Sequence, residues 1–253
     1  MEVTAGTLHV GSLPAGAHAD LSMPDALPPV TGVTWLTVRA ALAADEPWAA
    51  AGHEVAWGQR LVAPAPEPVT GPRPTPVSRH VKIGLGAGSF DARTGVLSRL
   101  GDLDLQGPRL DVWSEPVHQR TISVKVRDDT LTVRTRVAPA GTDLGLFATF
   151  AWTASPDGSL TLTLDVVPDG DHGLPKLGVR IAALDGIEWF GRDPSGRVGR
   201  YADLVNGTGT EVRWAVFGDR LRVDGRPSFE LADAGLIQQS AAVSRMTLVF
   251  QAL

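Results

Sequence analysis

The sequence predicts an all-β protein built as a sandwich. Three observations carry that class. Leu160, Leu162, Leu164 and Val166 alternate with Thr161, Thr163 and Asp165, the period of two that marks a strand with one buried face. Pro156-Asp157-Gly158-Ser159 has the chemistry of a hairpin turn and stands immediately before that run. Short runs of this kind recur between Gly-rich turns, a pattern that suits a sandwich and not a parallel sheet.

The elements follow in chain order. Residues 1–22 are expected to add about two strands. Trp35-Leu36-Thr37-Val38-Arg39-Ala40 and Glu54-Val55-Ala56-Trp57-Gly58-Gln59-Arg60 read as two more, with Ala43 to Gly52 between them as one short helix or a loop. About four strands are few for an independent sandwich, because an open edge would stay exposed; this segment reads as part of a domain. Pro64, Pro66, Pro68, Pro72, Pro74 and Pro76 then favour extended polyproline geometry and exclude helix or central strand. The reading is a semi-rigid linker over 64–78, between a first domain at 1–63 and a second at 79–253. A Pro-rich signalling ligand is the less favoured alternative, since both flanks have the pattern of folded chain. Beyond the linker, Leu131 to Val137, Glu211 to Phe217 and Arg245 to Phe250 repeat the alternation.

Composition narrows the function classes. The chain has 253 residues, 43% of them apolar, and a formal net charge of −5. With no basic block in the sequence, a nucleic-acid partner is not expected. There is no Cys, which excludes disulfides, thiolate nucleophiles and Cys-ligated zinc. No stretch reaches the roughly 18 apolar residues of a membrane span, and Met1-Glu2-Val3-Thr4 opens without a basic, apolar leader, so no membrane partner and a cytoplasmic protein are expected.

Several segments line up with one family. Asp45-Glu46-Pro47-Trp48-Ala49-Ala50-Ala51-Gly52-His53-Glu54-Val55-Ala56-Trp57-Gly58-Gln59 resembles the W-A-x-x-G-H-E-V-A-W-x-Q segment of large bacterial β-galactosidases of glycoside hydrolase family 2. Gly84 to Leu97 is similar to the opening of that family's last domain. Leu174-Pro175-Lys176-Leu177-Gly178-Val179-Arg180 resembles its L-P-R-L-G-V-R, and Ile187-Glu188-Trp189-Phe190-Gly191-Arg192-Asp193-Pro194 its V-E-W-F-G-R-G-P. Arg197-Val198-Gly199-Arg200-Tyr201 and Val212-Arg213-Trp214 follow in the family's order. The resemblance implies a partial immunoglobulin-like β-sandwich followed by a galactose-mutarotase-like β-supersandwich.

The departures from the family concern polar loops. Trp113-Ser114-Glu115-Pro116 runs straight into Val117-His118-Gln119-Arg120, where the family continues with two acids and an amide. The family's E-x-Y-P-D is missing after Asp193-Pro194. Asn206-Gly207-Thr208-Gly209-Thr210 replaces a longer motif, and Leu231 to Val243 replaces a much longer segment. Trimmed loops on a retained scaffold are expected, through decay or truncation.

The chemistry can be tested on the residues themselves. A retaining glycosidase needs two carboxyl groups about 5–5.5 Å apart, one of them protonated. The family takes both from a (β/α)₈ barrel, in Asn-Glu and Glu motifs; no barrel pattern is present, and Asn206, the one Asn, precedes Gly. No catalytic residue is therefore assigned. Glu188 and Glu211 fall on predicted strands and read first as surface charges. His118 or His172 with Glu188 would be the pair for a mutarotase-like enzyme. The six His have no metal-ligand spacing, so no metal and no cofactor are expected. Gly84-Leu85-Gly86-Ala87-Gly88 lacks the Lys-Ser/Thr of a phosphate loop and reads as a tight turn.

Seven Trp against one Tyr raise a sugar-stacking reading. Trp35, Trp57, Trp189 and Trp214 lie in apolar strand patterns and are expected in the core. Trp48 and Trp113 lie in loops, and Arg192 stands beside a lost family loop; these three are the candidate substrate-binding residues. The leading reading is a non-catalytic C-terminal segment of a β-galactosidase, structural and sugar-facing, with galactosides as ligands. The upstream β-galactosidase domains, or a second copy joined through the partial first domain, are the expected partners. A free-standing carbohydrate-binding or assembly module is the alternative.

Overall fold

In the computed structural model, the described residues are 4–11, 13–14, 16–22, 29, 34–63, 70–111, 117–140, 144–173, 177–181, 186–202, 208–232, 236–238 and 244–253. The backbone divides into two units, Met1–Pro68 and Val69–Leu253.

In the first unit, β1 (Thr34–Ala41) and β2 (Glu54–Ala63) pair antiparallel as a two-stranded sheet. The segment between them is a loop without a helix, closed by a bridge between Glu46 and Ala49. The described part of residues 4–22 contains no strand, contrary to the two expected there. That segment is rich in Gly and Ala, which give a strand few side chains to pack.

Among the described residues the second unit carries seventeen strands in two sheets. A five-stranded sheet runs in sequence order through β3 (Val77–Arg79), β4 (Lys82–Leu85), β5 (Gly88–Asp91), β6 (Leu97–Leu100) and β7 (Leu103–Asp104). Val77 and Ser78, assigned to the linker from sequence, are thus strand. Before them Arg73 pairs with Asp129 at 3.3 Å. Gly86, at φ 55, makes the β4–β5 turn, as expected of the glycine run.

The larger sheet has twelve strands. They are β8 (Arg109–Leu110), β9 (Val117–Arg127), β10 (Thr130–Pro139), β11 (Leu146–Ala154), β12 (Leu160–Pro168), β13 (Gly178–Arg180), β14 (Ile187–Arg192), β15 (Val198–Ala202), β16 (Thr208–Phe217), β17 (Leu221–Ala232), β18 (Leu236–Gln238) and β19 (Arg245–Ala252). Nine follow one antiparallel path, β15-β14-β16-β17-β19-β12-β11-β10-β9, while β18, β13 and β8 branch from β17. The protein is all-β, as the sequence predicts.

Alternation sets the layers. Along β11, and along β12 from Leu160 to Val166, each residue that faces inward is buried and each neighbour half-buried. The buried set joins Leu131, Trp152, Leu162, Leu248 and Phe250 of the large sheet to Phe90 and Leu97 of the small one. Trp152 is the centre of this contact, with ring centroids 5.3 Å from Phe90 and 5.5 Å from Phe250. The two sheets therefore pack face to face over one apolar layer. One polar group interrupts it: Thr135 is 1% exposed, and its hydroxyl has no hydrogen-bond partner.

Candidate functional site

The candidate site is built on the β14–β15 hairpin and on β16 beside it. Five residues, Asp193 to Arg197, close the hairpin. The Asp193 and Arg197 backbones bond across it at 3.0 Å, and the Asp193 carboxylate accepts from the Ser195 hydroxyl at 2.6 Å and the Arg197 N–H at 3.0 Å. Burial by itself would raise the Asp193 carboxyl, but donors from Ser195, Arg197 and Tyr201 outweigh it and hold the group below the usual carboxylate range. The same neighbours act in the opposite direction on Tyr201. Burial and then the Asp193 charge push its phenol up to about 12, and its hydroxyl donates to the Arg197 carbonyl at 2.8 Å. Tyr201 lies against the buried Trp189, ring centroids 4.7 Å apart.

Arg192 stands at the end of β14, where the register with β16 slips between Phe190 and Arg192. Its Nη1 donates to the Gly196 carbonyl at 2.6 Å, and its Nε lies 3.2 Å from Oε2 of Glu211. The Thr210 hydroxyl donates to the Arg192 carbonyl at 3.1 Å. Glu211 has φ 48, a left-handed conformation that costs an L-residue about 1–2 kcal/mol. Gly191 permits this bulge: a Cβ there would sit 2.8 Å from the Val212 Cα and 2.9 Å from the Thr210 carbonyl oxygen. The result is a guanidinium held on two sides at a strained bulge, with the Glu211 carboxylate 63% exposed beside it. Such a pair can present a donor fork and an acceptor together to a hydroxylated ligand.

The other candidates lie elsewhere. Trp48 belongs to the first unit, on the β1–β2 loop; it is 63% exposed and meets the ring of His53 edge-on at 5.5 Å. Trp113 lies outside the described residues. Glu188 is taken by the guanidinium of Arg200, not by a histidine. His118 is on β9 and Glu188 on β14, near opposite ends of the strand path, and His172 follows β12 in a loop. The His–Glu pair of the mutarotase-like alternative is not assembled by these contacts. Among the described residues no group of three or more His, Asp or Glu could hold a metal ion.

Three of the four tryptophans expected in the core are not there, and Trp35 is one of them, half-buried on β1. Trp57 is 37% exposed. Trp214 is half-buried on the outer face of the large sheet, stacked on Phe190 at 6.1 Å and covered by the Arg222 guanidinium at 4.8 Å. Arg222 is in turn fixed by Asp224 at 2.8 and 2.9 Å. The sequence reading also passed over the role of Glu211 opposite Arg192. The two are nineteen positions apart, and only a bulged register brings them together.

No helix among the described residues is long and apolar enough to cross a membrane. Residues 1–63 match the family model for β-galactosidase, domain 4. A β-galactosidase of Arthrobacter sp. (strain B7) is 29% identical, over 73% of this chain and 22% of its own length. The chain thus spans about a fifth of the curated relative it matches. The chain is thus similar to one β-galactosidase domain over residues 1–63 and, over 73% of its length, to part of a whole β-galactosidase.

Proposed function

We propose that the chain is a non-catalytic, sugar-facing part of a glycoside hydrolase family 2 β-galactosidase. In this reading residues 1–63 are part of an immunoglobulin-like domain, 64–78 lead out of it, and 79–253 form a galactose-mutarotase-like supersandwich. The match of residues 1–63 to β-galactosidase domain 4 is the observation that carries it. The acids support it too. Glu188 and Glu211 are each committed to an arginine, whereas a retaining glycosidase sets two carboxyl groups against one bond. Arg192 is the proposed sugar contact, through its remaining guanidinium N–H groups, with Glu211 accepting from a sugar hydroxyl.

The purified chain is expected to release nothing from a chromogenic β-galactoside above the buffer rate. Turnover that follows the protein through successive chromatography steps would overturn the reading. A free-standing carbohydrate-binding module is the second reading, favoured by the 63% exposure of Trp48. Calorimetry with lactose separates the two contacts: Arg192→Ala removes binding at the bulge, and Trp48→Ala removes binding at the loop.

A further inference from the structure

The β9–β10 hairpin lies at the far end of the strand path from Arg192. Its outer face is basic, although the protein as a whole carries −5. Arg120 on β9 is directly opposite Arg136 on β10, and Lys125 and Arg127 follow on the same face opposite Thr132 and Thr130. Arg134 extends the row on β10. Like charges directly across a ladder are destabilising unless something neutralises them. Asp169 takes Arg136, but among the described residues no carboxylate is paired with Arg120, Lys125, Arg127 or Arg134. The hairpin's own acids are at its turn, where Asp129 is held by Thr130 and Arg73. The basic block is hidden in the sequence because alternation spreads it over two strands.

We propose that this face binds an extended anionic polysaccharide, one bearing uronate or sulfate groups. From Arg120 to Arg127 the cations span roughly 20 Å along the strand, a length suited to several sugar units. Beside them the outer face continues with threonine hydroxyls: Thr130 on β10 is opposite Thr153 on β11, Thr132 is opposite Ala151, and Thr149 is opposite Arg134. Those hydroxyls both donate and accept, as sugar hydroxyls require. A single-stranded nucleic acid would instead need open aromatic faces for its bases. Phe147, on this face, is covered by the Arg134 guanidinium at 5.2 Å. The proposal does not depend on the Arg192 reading, since it concerns other residues and a charged rather than a neutral ligand.

Fluorescence anisotropy with labelled heparin and with labelled polygalacturonate tests it, with neutral dextran and an oligonucleotide as controls. Both anionic polysaccharides are expected to bind at low salt and to weaken as salt rises. Arg120→Glu with Lys125→Glu should weaken binding at least about tenfold, through lost and reversed charge. Arg79→Glu with Lys82→Glu changes net charge equally on the small sheet and should change binding less than about twofold. Acylation needs no mutation: saturating heparin should protect Lys125 and leave Lys82 reactive. Absence of binding by either polymer, equal loss in both double variants, an oligonucleotide bound as tightly as heparin, or an unprotected Lys125 would each overturn the proposal.

Discussion

The two units have similar strand chemistry and opposite outcomes. In β1 and β2 apolar residues alternate with polar ones, yet Val38, Val55, Trp57, Leu61 and Val62 are all exposed by more than a third. In β11 and β12 the same alternation places Phe150, Trp152, Leu162 and Leu164 at 5% exposure or less. Period two says which residues share a face; it does not say that a second layer covers that face. The large sheet has the five-stranded sheet against its apolar side, whereas β1 and β2 form a sheet of two. A hairpin of two strands is marginal by itself in water.

The largest effect that would break this contrast is on tryptophan. Trp152→Ala should cost about 3–5 kcal/mol by leaving a cavity between the sheets. Trp57→Ala, at a side chain 37% exposed, should cost far less, within about 0.5 kcal/mol. Denaturant titration of both variants measures the difference, and equal losses would show that the hairpin is as well covered as the core. A smaller effect of opposite sign is expected at Thr135. Replacing its unpartnered buried hydroxyl by the methyl of Thr135→Val should stabilise the protein by about 1 kcal/mol. A loss of stability there would mean that the hydroxyl has a partner in solution, such as a bound water.

The smallest effect concerns the burial of Tyr201, the one Tyr in the sequence. Its phenolate absorbance should rise at about pH 12 in the folded protein. A pKa raised above the unfolded value of 10.0 contributes stability that is complete below pH 10 and is lost as pH climbs through the folded pKa. Asp193 works in the other direction. Its lowered pKa contributes stability above the unfolded value of 3.8, and that stability is lost as pH falls through the folded pKa. Asp193→Asn should therefore lower the Tyr201 midpoint and flatten the acid limb of the stability curve. An unchanged Tyr201 midpoint would remove Asp193 from its surroundings.

Much of the fold was legible in the sequence, because long strands show their period. The runs at 131–137, 160–166, 211–217 and 245–250 all lie within strands of the large sheet. The short strands β7, β8, β13 and β18, of two or three residues, have no period to read. Trp214 was misplaced because alternation cannot separate a covered face from an outer one; its neighbours Phe190 and Arg222 come from other strands. Of the candidate site, Arg192 was readable from a motif. Its partner Glu211 was not, since the contact needs a register slip and a positive φ that no residue type at position 211 announces.

The place of β19 in the large sheet has a consequence for how the molecule is made. This strand, Arg245–Ala252, lies between β17 and β12, and Phe250 on it meets Trp152. During synthesis the hairpins from β9 to β12 can form as they emerge, but the gap beside β12 stays open until residue 252 has left the ribosome. Until then the apolar face around Leu160, Leu162 and Leu164 has an unpaired edge, the arrangement that invites aggregation. Closure joins residues far apart in the chain, so it is expected to be slow, and a ribosome stalled before residue 245 would hold an open sheet.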